Sequence, residues 1–227
     1  MVVFSFPIDR TFGTCRAFAA CLLDGELAVI GVDMDMNGIG EPVKVWTKPG
    51  VSKSVLVSHP QTTDDFNSYT LGLQWQFNHN PVNTHWSLNE RRGWLALKAL
   101  KAATLRESRN MLTQKCMGYL STATVLLDFS ALADGQRGGL FCTGSLYNGI
   151  GISREEGKNY LYLEKNGDVQ QVKMVSGKKI YLRVMLDAKK NRCQLFYSFD
   201  NCNFILCGDA YSLSSAIGKV RVWLVFI

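Results

Sequence analysis

The sequence predicts an all-β protein in which two antiparallel sheets form a β-sandwich, preceded by a short region of different character. In residues 71–77, apolar residues alternate with glycine or glutamine, which is the period of a strand with one buried face. Turn-forming pairs recur at short spacing, and Asn166-Gly167 supplies the positive φ angles that a type I′ hairpin turn requires. No strand–helix–strand rhythm recurs, which disfavours a parallel α/β sheet.

Further strands are predicted from runs that are rich in β-branched, aromatic and leucine residues. These runs are residues 94–97, 119–129, 149–153, 160–164, 179–186, 193–199 and 220–227. The Asn-Gly pair predicts a hairpin over residues 160–174. Two stretches have the composition of short helices, residues 97–109 and 211–216.

Changes in composition divide the chain into three parts. Residues 1–50 are turn-rich and end in Lys48-Pro49-Gly50. Residues 51–63 are polar enough to be a linker, and residues 64–227 carry the predicted strands of the sandwich.

Composition and charge exclude several classes of function. The formal net charge is +6, but the basic residues are spread singly among acidic ones, so we expect no nucleic-acid partner. The longest apolar stretch, residues 17–23, is shorter than the roughly 18 residues of a membrane span, so we expect no membrane partner. The N-terminus lacks the basic start of a secretory signal, and localisation stays open.

One segment resembles the opening of a calcium-binding loop. Asp33, Asp35 and Asn37 are followed by Gly38, in the D-x-D-x-N-G spacing that places oxygen ligands at alternate positions. The twelfth position of such a loop brings a bidentate Glu, whereas this sequence has Lys44 there. We therefore expect a turn and no cofactor, with a weak calcium site as the alternative.

Several polar and aromatic residues are candidates for binding a carbohydrate or for docking a second domain. Gln74 and Gln76 are expected to face outward because Trp75 is in phase with the apolar residues of the predicted strand. His79-Asn80 and Trp86 lie in the following loop region, where structuring the loop is favoured over binding a metal. This region contains two histidines, His79 and His85, and a closed zinc site requires four protein ligands, so such a site is not expected here.

Seven ordered segments carry a resemblance to a known family. They are residues 64–66 (DDF), 71–81 (LGLQWQFNHNP), 86–91 (WSLNER), 109–114 (RNMLTQ), 127–130 (LDFS), 149–152 (GIGI) and 196–200 (FYSFD). In this order they resemble the C-terminal concanavalin-A-like module of bacterial family-43 β-xylosidases and arabinofuranosidases. The resemblance implies a concanavalin-A-like jelly roll over residues 64–227.

The resemblance extends upstream and breaks off downstream. Residues 31–43 (GVDMDMNGIGEPV) resemble the segment that closes the β-propeller of those enzymes. Residues 1–50 are therefore predicted to be a remnant of the last blade of a catalytic β-propeller. After residues 218–220 the family continues into one more strand that this sequence lacks, so we expect one strand of the sandwich to have an unpaired edge.

The resemblance implies an accessory role. The inverting glycosidase chemistry of the family resides on the propeller, so this chain is expected to be inactive alone and to have the propeller domain as its partner. Tyr147 and Asn148 are expected in a loop that reaches the rim of the substrate pocket. One alternative is a stand-alone, lectin-like module that binds oligosaccharides. Another is an intact enzyme, for which Glu90, Asp128 and Asp134 are the candidate carboxylates.

Overall fold

The structure, a computed structural model, describes residues 16–23, 26–34, 40–42, 61–116, 118–143, 146–213 and 221–226. The chain forms two compact units, Met1–Pro60 and Gln61–Ile227. In the first unit, strands β1 (Arg16–Leu23), β2 (Glu26–Met34) and β3 (Gly40–Pro42) form an antiparallel sheet in that order. Asp33 lies in β2, opposite Arg16 and Glu41, whereas the other two predicted calcium ligands, Asp35 and Asn37, lie outside the described residues.

The second unit consists of short and medium-length strands. They are β4 (Gln76–Phe77), β5 (Trp86–Ser87), β6 (Ala96–Leu97), β7 (Leu112–Lys115), β8 (Leu120–Asp128), β9 (Arg137–Thr143), β10 (Tyr147–Glu155), β11 (Lys158–Lys165), β12 (Asp168–Val175), β13 (Lys179–Asp187), β14 (Arg192–Ser198), β15 (Ile205–Leu206), β16 (Tyr211–Ser212) and β17 (Arg221–Phe226).

Two antiparallel sheets make up the sandwich. Sheet I has the strand order β12-β11-β10-β9-β17-β7-β4, and sheet II has the order β15-β14-β13-β8, with β16 also paired to β14. A separate ribbon joins β5 to β6. The prediction of an all-β, antiparallel, two-sheet sandwich is confirmed.

Alternate apolar residues from both sheets form the main core. In sheet II, Ile180, Leu182 and Val184 of β13 are fully buried, and in sheet I the alternate residues of β9, β10 and β11 face them. Each such side chain contributes about 1.5–3 kcal/mol when it is fully removed from water. Five cysteines of the sandwich are free thiols, Cys116, Cys142, Cys193, Cys202 and Cys207, so no disulfide among them stabilises this core.

The turn that the sequence indicated most clearly is present. Asn166 and Gly167 have φ angles of 50° and 104°, and they connect β11 to β12 so that Lys165 pairs with Asp168. The predicted hairpin over residues 160–174 is confirmed, because the Asn-Gly pair tolerates these left-handed angles.

Three predictions of secondary structure were wrong. Residues 97–109 form extended chain and one 3-10 turn, Leu105–Glu107, because several of their main-chain and side-chain groups bond to residues 78–85. In residues 71–77 only β4 is a strand, and Trp75 N donates to Gly72 O in a turn. Residues 211 and 212 lie in β16, where a short helix was predicted.

The central strands of sheet I, β9, β10 and most of β11, are buried on both faces, whereas its edge strand β12 is mostly exposed. The outer face of sheet I carries a second apolar cluster of Leu105, Met111, Phe141, Tyr147 and Tyr162. In β10 the residues on this face include Gly149, which is opposite Phe141 of β9, and a Cβ atom at that position would overlap the Phe141 ring. The aromatic layer therefore fits only over strands that present glycine.

We expect Gly149→Ala to lower the free energy of unfolding by about 1–3 kcal/mol, because the buried Phe141 ring has no room to move aside. Gly118→Ala is the matched control, since the nearest atom to its added Cβ is Leu120 O at 3.7 Å. Urea unfolding of both variants measures the difference. Equal stability of the two variants would contradict the packing described for the outer face.

Candidate functional site

The loop that contains His79 and Asn80 is bonded to a second loop, residues 104–111. The Nε2 atom of His79 lies 2.7 Å from the main-chain oxygen of Arg106, so it carries the proton and donates. The Nε atom of Arg109 donates to the main-chain oxygen of Asn80 at 3.0 Å. Both predicted site residues therefore hold one loop against the other, and the side chain of Asn80 is exposed.

A buried asparagine reinforces this pair of loops. Asn110 accepts from Val82 N at 2.8 Å and donates to Val82 O at 3.2 Å, so that its amide replaces a main-chain strand pairing. It is 1 % exposed. We call residues 78–82 and 104–111 together the loop pair.

Tyr147 connects the loop pair to sheet I. The Arg106 guanidinium lies 5.4 Å from the centre of the Tyr147 ring, and the Phe141 ring meets the same ring edge-on at 6.5 Å. Burial, followed by the nearby Glu164 carboxylate, raises the pKa of the Tyr147 hydroxyl. The expected placement in a loop was wrong for this residue, because Tyr147 is the first residue of strand β10 and is buried. Its predicted place at the rim of a substrate pocket stays a prediction.

Asn148 also lies in a strand and not in the expected loop. It is the second residue of β10, it is 1 % exposed, and its Nδ2 atom donates to the main-chain oxygen of Ser212 at 3.3 Å. Because Ser212 belongs to sheet II, this bond joins the two sheets. Its role in the described structure is to satisfy a buried polar group in the sandwich.

A buried carboxylate that the sequence analysis missed lies next to Tyr147. Glu164 of β11 is 1 % exposed, and its Oε2 atom is 3.5 Å from Nη1 of Arg137. Burial raises the pKa of the Glu164 carboxyl more than the Arg137 charge and the Tyr147 hydroxyl lower it. The signal for this site was the alternation in residues 160–164, which places Tyr160, Tyr162 and Glu164 on one face.

Gln74 belongs to a separate cluster that is organised by Asp64. The Oδ2 atom of Asp64 accepts from Gln74 Nε2 at 3.0 Å and from Trp75 Nε1 at 2.8 Å. The Phe66 ring is stacked on Trp75, with 5.6 Å between the ring centres. The expected alternation was wrong here, since Asp64 binds both Gln74 and Trp75 while Leu73 is fully exposed. Gln74 is therefore a structural residue in the described part of the chain.

Gln76 and Trp86 lie on the short strands beside this cluster. Gln76 of β4 is exposed, and its main-chain oxygen accepts from Thr113 Oγ1 at 2.8 Å. The Trp86 ring packs against Phe77 at 5.1 Å, and its Nε1 atom donates to Asn83 Oδ1 at 3.3 Å. Trp86 is half-buried, so one face of its ring is already used for packing.

The three carboxylates considered for an intact enzyme all have structural partners. Glu90 forms an ion pair with Lys98 at 2.8 Å, and Asp128 forms one with Arg91 at 2.8 Å. The third, Asp134, accepts from the main-chain nitrogen of Gly157 at 2.9 Å. These bonds cap turns and bridge loops, which is a different arrangement from two carboxylates that face each other across a sugar.

The pKa of Asp128 indicates the same role. Partial burial works to raise it, but hydrogen bonds from Ser130 and the Arg91 guanidinium together hold the pKa of this carboxyl below its usual range. A general acid requires a raised pKa. Asp128 is therefore an ionised, structural carboxylate.

Metal and membrane sites were searched within the described ranges. Among those residues, no group of three or more His, Cys, Asp or Glu side chains is placed to hold a metal ion. In the same part of the chain, no helix combines the length and the apolar character of a membrane span.

We expect Asp64→Ala to lower the free energy of unfolding by about 1–3 kcal/mol, because Gln74 Nε2, Trp75 Nε1 and the Phe66 main-chain nitrogen all lose their acceptor. Asp65→Ala is the matched control, and its effect is expected to be markedly smaller since that exposed carboxylate binds only Asn67 among the described hydrogen bonds. Urea unfolding followed by tryptophan fluorescence measures both. Equal effects would show that Asp64 does not organise the cluster.

We expect Glu164→Gln to raise the melting temperature at neutral and higher pH. The folded-state pKa of Glu164 is raised, so its contribution to stability is most favourable below its ordinary value of 4.5 and is lost as the pH rises through the folded-state pKa. The gain from the substitution should therefore disappear as the pH falls to about 4. Melting curves across this range measure it, with the exposed Glu156→Gln as a control; a pH-independent gain would contradict the raised pKa.

Two curated relatives match most of this chain. A putative β-xylosidase of Xylanibacter ruminicola is 41% identical over 200 residues, which cover 88% of this chain and 37% of the relative. A β-xylosidase of Formosa agariphila is 36% identical over 215 residues, 84% of this chain and 35% of the relative. The chain thus spans just over a third of the length of these curated relatives.

Solved structures share the fold. A bifunctional GH43-CE protein of Bacteroides eggerthii superposes with a TM-score of 0.67 at 23% identity, over 94% of this chain and 30% of that one. The GH43 BlXynB protein of Bacillus licheniformis gives a TM-score of 0.66 at 24% identity, over 88% and 42%. The family model described as the β-xylosidase C-terminal concanavalin A-like domain matches residues 63–223. Because that match covers most of the sequence, this chain belongs to the β-xylosidase C-terminal concanavalin A-like family.

Proposed function

We propose that this chain is the accessory, non-catalytic sandwich of a glycoside hydrolase that acts on oligosaccharides derived from xylan or arabinoxylan. The family membership supports this proposal, since the two relatives described above are called β-xylosidases and the chain covers only about a third of each. The structural roles of Glu90, Asp128 and Asp134 support the non-catalytic part. The catalytic residues would then lie on a propeller domain, which is the partner that we propose.

The loop pair is the surface that we propose for docking this partner. It presents polar side chains, including those of Arg106 and Arg109, on a backbone that is cross-bonded by His79 and Asn110. A pre-ordered loop loses little conformational entropy on binding. Interfaces between domains of one chain are typically polar, as this surface is. The single observation that carries the docking proposal is the set of hydrogen bonds that joins the two loops.

A stand-alone carbohydrate-binding module is the second candidate. Tyr69 favours it, because its side chain is 82% exposed and an aromatic face can stack on a sugar ring. The tryptophans favour it less. The ring of Trp94 is covered by the Arg91 guanidinium at 4.0 Å and by the Lys179 ammonium at 5.1 Å, and one face of Trp86 packs on Phe77.

We expect the full chain to show no hydrolysis of 4-nitrophenyl β-xyloside or 4-nitrophenyl α-arabinofuranoside. Mixed with the Xylanibacter ruminicola relative from which only the part that matches residues 63–223 has been removed, it should form a complex and raise the activity of that fragment. Size-exclusion chromatography and colorimetric assays measure these outcomes. Clear turnover by the chain alone would contradict the proposal.

Two variants locate the docking surface. Arg106→Glu should weaken the complex at least about tenfold, because it reverses a charge on the loop pair. Lys158→Glu makes the same charge change on the exposed β10–β11 turn and should leave the complex intact. Equal effects would exclude the loop pair as the docking surface. Saturable binding of xylo-oligosaccharides to the chain, without complex formation, would favour the second candidate.

A further inference from the structure

The outer face of sheet II is formed by the residues of β8, β13 and β14 that point away from the core. In the central strand β13, Leu182 and Val184 face the core and are fully buried. The alternate residues Tyr181, Arg183 and Met185 therefore point outward. Met185 is 42% exposed and Arg183 is half-buried, so this face is open to solvent around Arg183.

Cross-strand pairs of opposite charge lie at both ends of β13. They are Lys179 opposite Asp128 and Asp187 opposite Arg192. Arg183 lies midway along the strand, and its neighbours in register are uncharged, Thr124 on β8 and Phe196 on β14. Each charged pair is four residues away along β13, about 13 Å, which exceeds the Debye length of about 8 Å at physiological ionic strength. Arg183 is therefore an uncompensated cation at the centre of the face.

The Arg183 guanidinium is held in a fixed orientation. Its central carbon lies 3.4 Å from the centre of the Phe204 ring, and its Nε atom donates to Thr124 Oγ1 at 2.9 Å. The stacking fixes the plane of the guanidinium, and the hydrogen bond fixes its rotation within that plane. The two Nη atoms then present the planar fork that binds a carboxylate through two parallel hydrogen bonds. Because the fork is already ordered, binding costs little side-chain entropy.

Aromatic rings and hydrogen-bonding side chains surround this cation. Phe196 is half-buried beside Arg183, and the half-buried Tyr181 lies two residues along β13, about 7 Å away. Thr122 and Gln194 lie opposite Met185 on the neighbouring strands. A sugar has an apolar C–H face and a set of hydroxyl groups, so both kinds of neighbour can contact it. A simple aliphatic acid would contact the cation alone.

The number of uncompensated cations bears on the kind of anion. A nucleic acid or an anionic membrane surface is bound by several cations that lie close together. The strands of this face offer one, Arg183, since Lys179 and Arg192 each lie opposite a carboxylate. One cation fits a ligand that carries a single carboxylate.

We propose that Arg183 and the face around it bind the uronic-acid group of an acidic xylan-derived oligosaccharide. The guanidinium holds the carboxylate, and the rings of Tyr181 and Phe196 contact the sugar. The choice of xylan as the source rests on the proposed function. The loop pair covers the outer face of sheet I, so the two proposed surfaces lie on opposite sides of the sandwich.

The test measures the binding of five ligands to the full chain by isothermal titration calorimetry. They are glucuronosyl-xylotriose, its methyl ester, xylotriose, trigalacturonate and glutarate. Glucuronosyl-xylotriose should bind saturably, and its ester and xylotriose should bind at least about tenfold more weakly because they lack the negative charge. Equal binding of the ester, of trigalacturonate or of glutarate would overturn the proposal, since the charge, the xylan source or the sugar would then not be recognised.

Three variants locate the site. Arg183→Gln should weaken the binding of glucuronosyl-xylotriose at least about tenfold, and Arg183→Lys should also weaken it because an ammonium lacks the planar fork. Lys158→Gln removes the same charge from the exposed β10–β11 turn and is the matched control. Equal affinity of Arg183→Gln and Lys158→Gln would overturn the assignment. If Arg183→Gln fails to fold, the comparison of the acid with its methyl ester still decides.

The outcomes separate this inference from the proposed function. A complex with the truncated Xylanibacter ruminicola relative, without binding of glucuronosyl-xylotriose, would overturn this inference alone. Binding of glucuronosyl-xylotriose that depends on Arg183, without such a complex, would support this inference and contradict the docking proposal.

Discussion

Burial of the central strands of sheet I, β9 to β11, on both faces is the constraint on which the rest of the structure depends. In β10 the isoleucines Ile150 and Ile152 face the main core, and Gly149 and Gly151 face the second cluster. The glycines leave room for the Phe141 and Tyr162 rings to lie directly over the strand. Because this aromatic layer is itself fully buried, other segments must cover it, and Leu105 and Met111 do so.

The loop pair is a consequence of that covering layer. Leu105 and Met111 bring the segment 104–111 onto sheet I, and the hydrogen bonds of Asn110 and His79 then bring residues 78–82 to the same place. Apolar burial sets where the segment lies, while the polar bonds set its shape. A surface built in this way is ordered before any partner arrives, which is why it suits docking better than a mobile loop would.

The fold was predictable where the pattern of residues is local, and less so where distant side chains decide. Alternation and the Asn166-Gly167 turn were sufficient for the antiparallel sandwich and the β11–β12 hairpin, because both act over a few neighbouring residues. In residues 71–77 the same alternation failed, since Asp64, ten residues upstream of Gln74, binds Gln74 and Trp75 and stops the strand from starting earlier. Nothing in the local sequence of residues 71–77 indicates that bond.

The candidate site was predicted only in part, for a related reason. His79 and Asn80 do lie on an exposed loop. Tyr147 and Asn148 instead begin a strand, because the Gly-Ser-Leu sequence before them is equally compatible with a turn and with the approach to a strand. Glu164 was missed because a carboxylate at the end of an apolar run is usually an exposed strand end. Here the strand is covered on both faces, which a single sequence does not reveal.

The two ends of sheet II differ in the edges that they present. β15, at one end, is two residues long, and short edge strands are a common protection against unwanted pairing. β8, at the other end, is nine residues long, has Ala123, Val125 and Leu127 on its inward side and has no Pro or Lys to block pairing. Among the described residues β8 pairs only with β13, and an edge of that length and composition promotes aggregation when it is exposed.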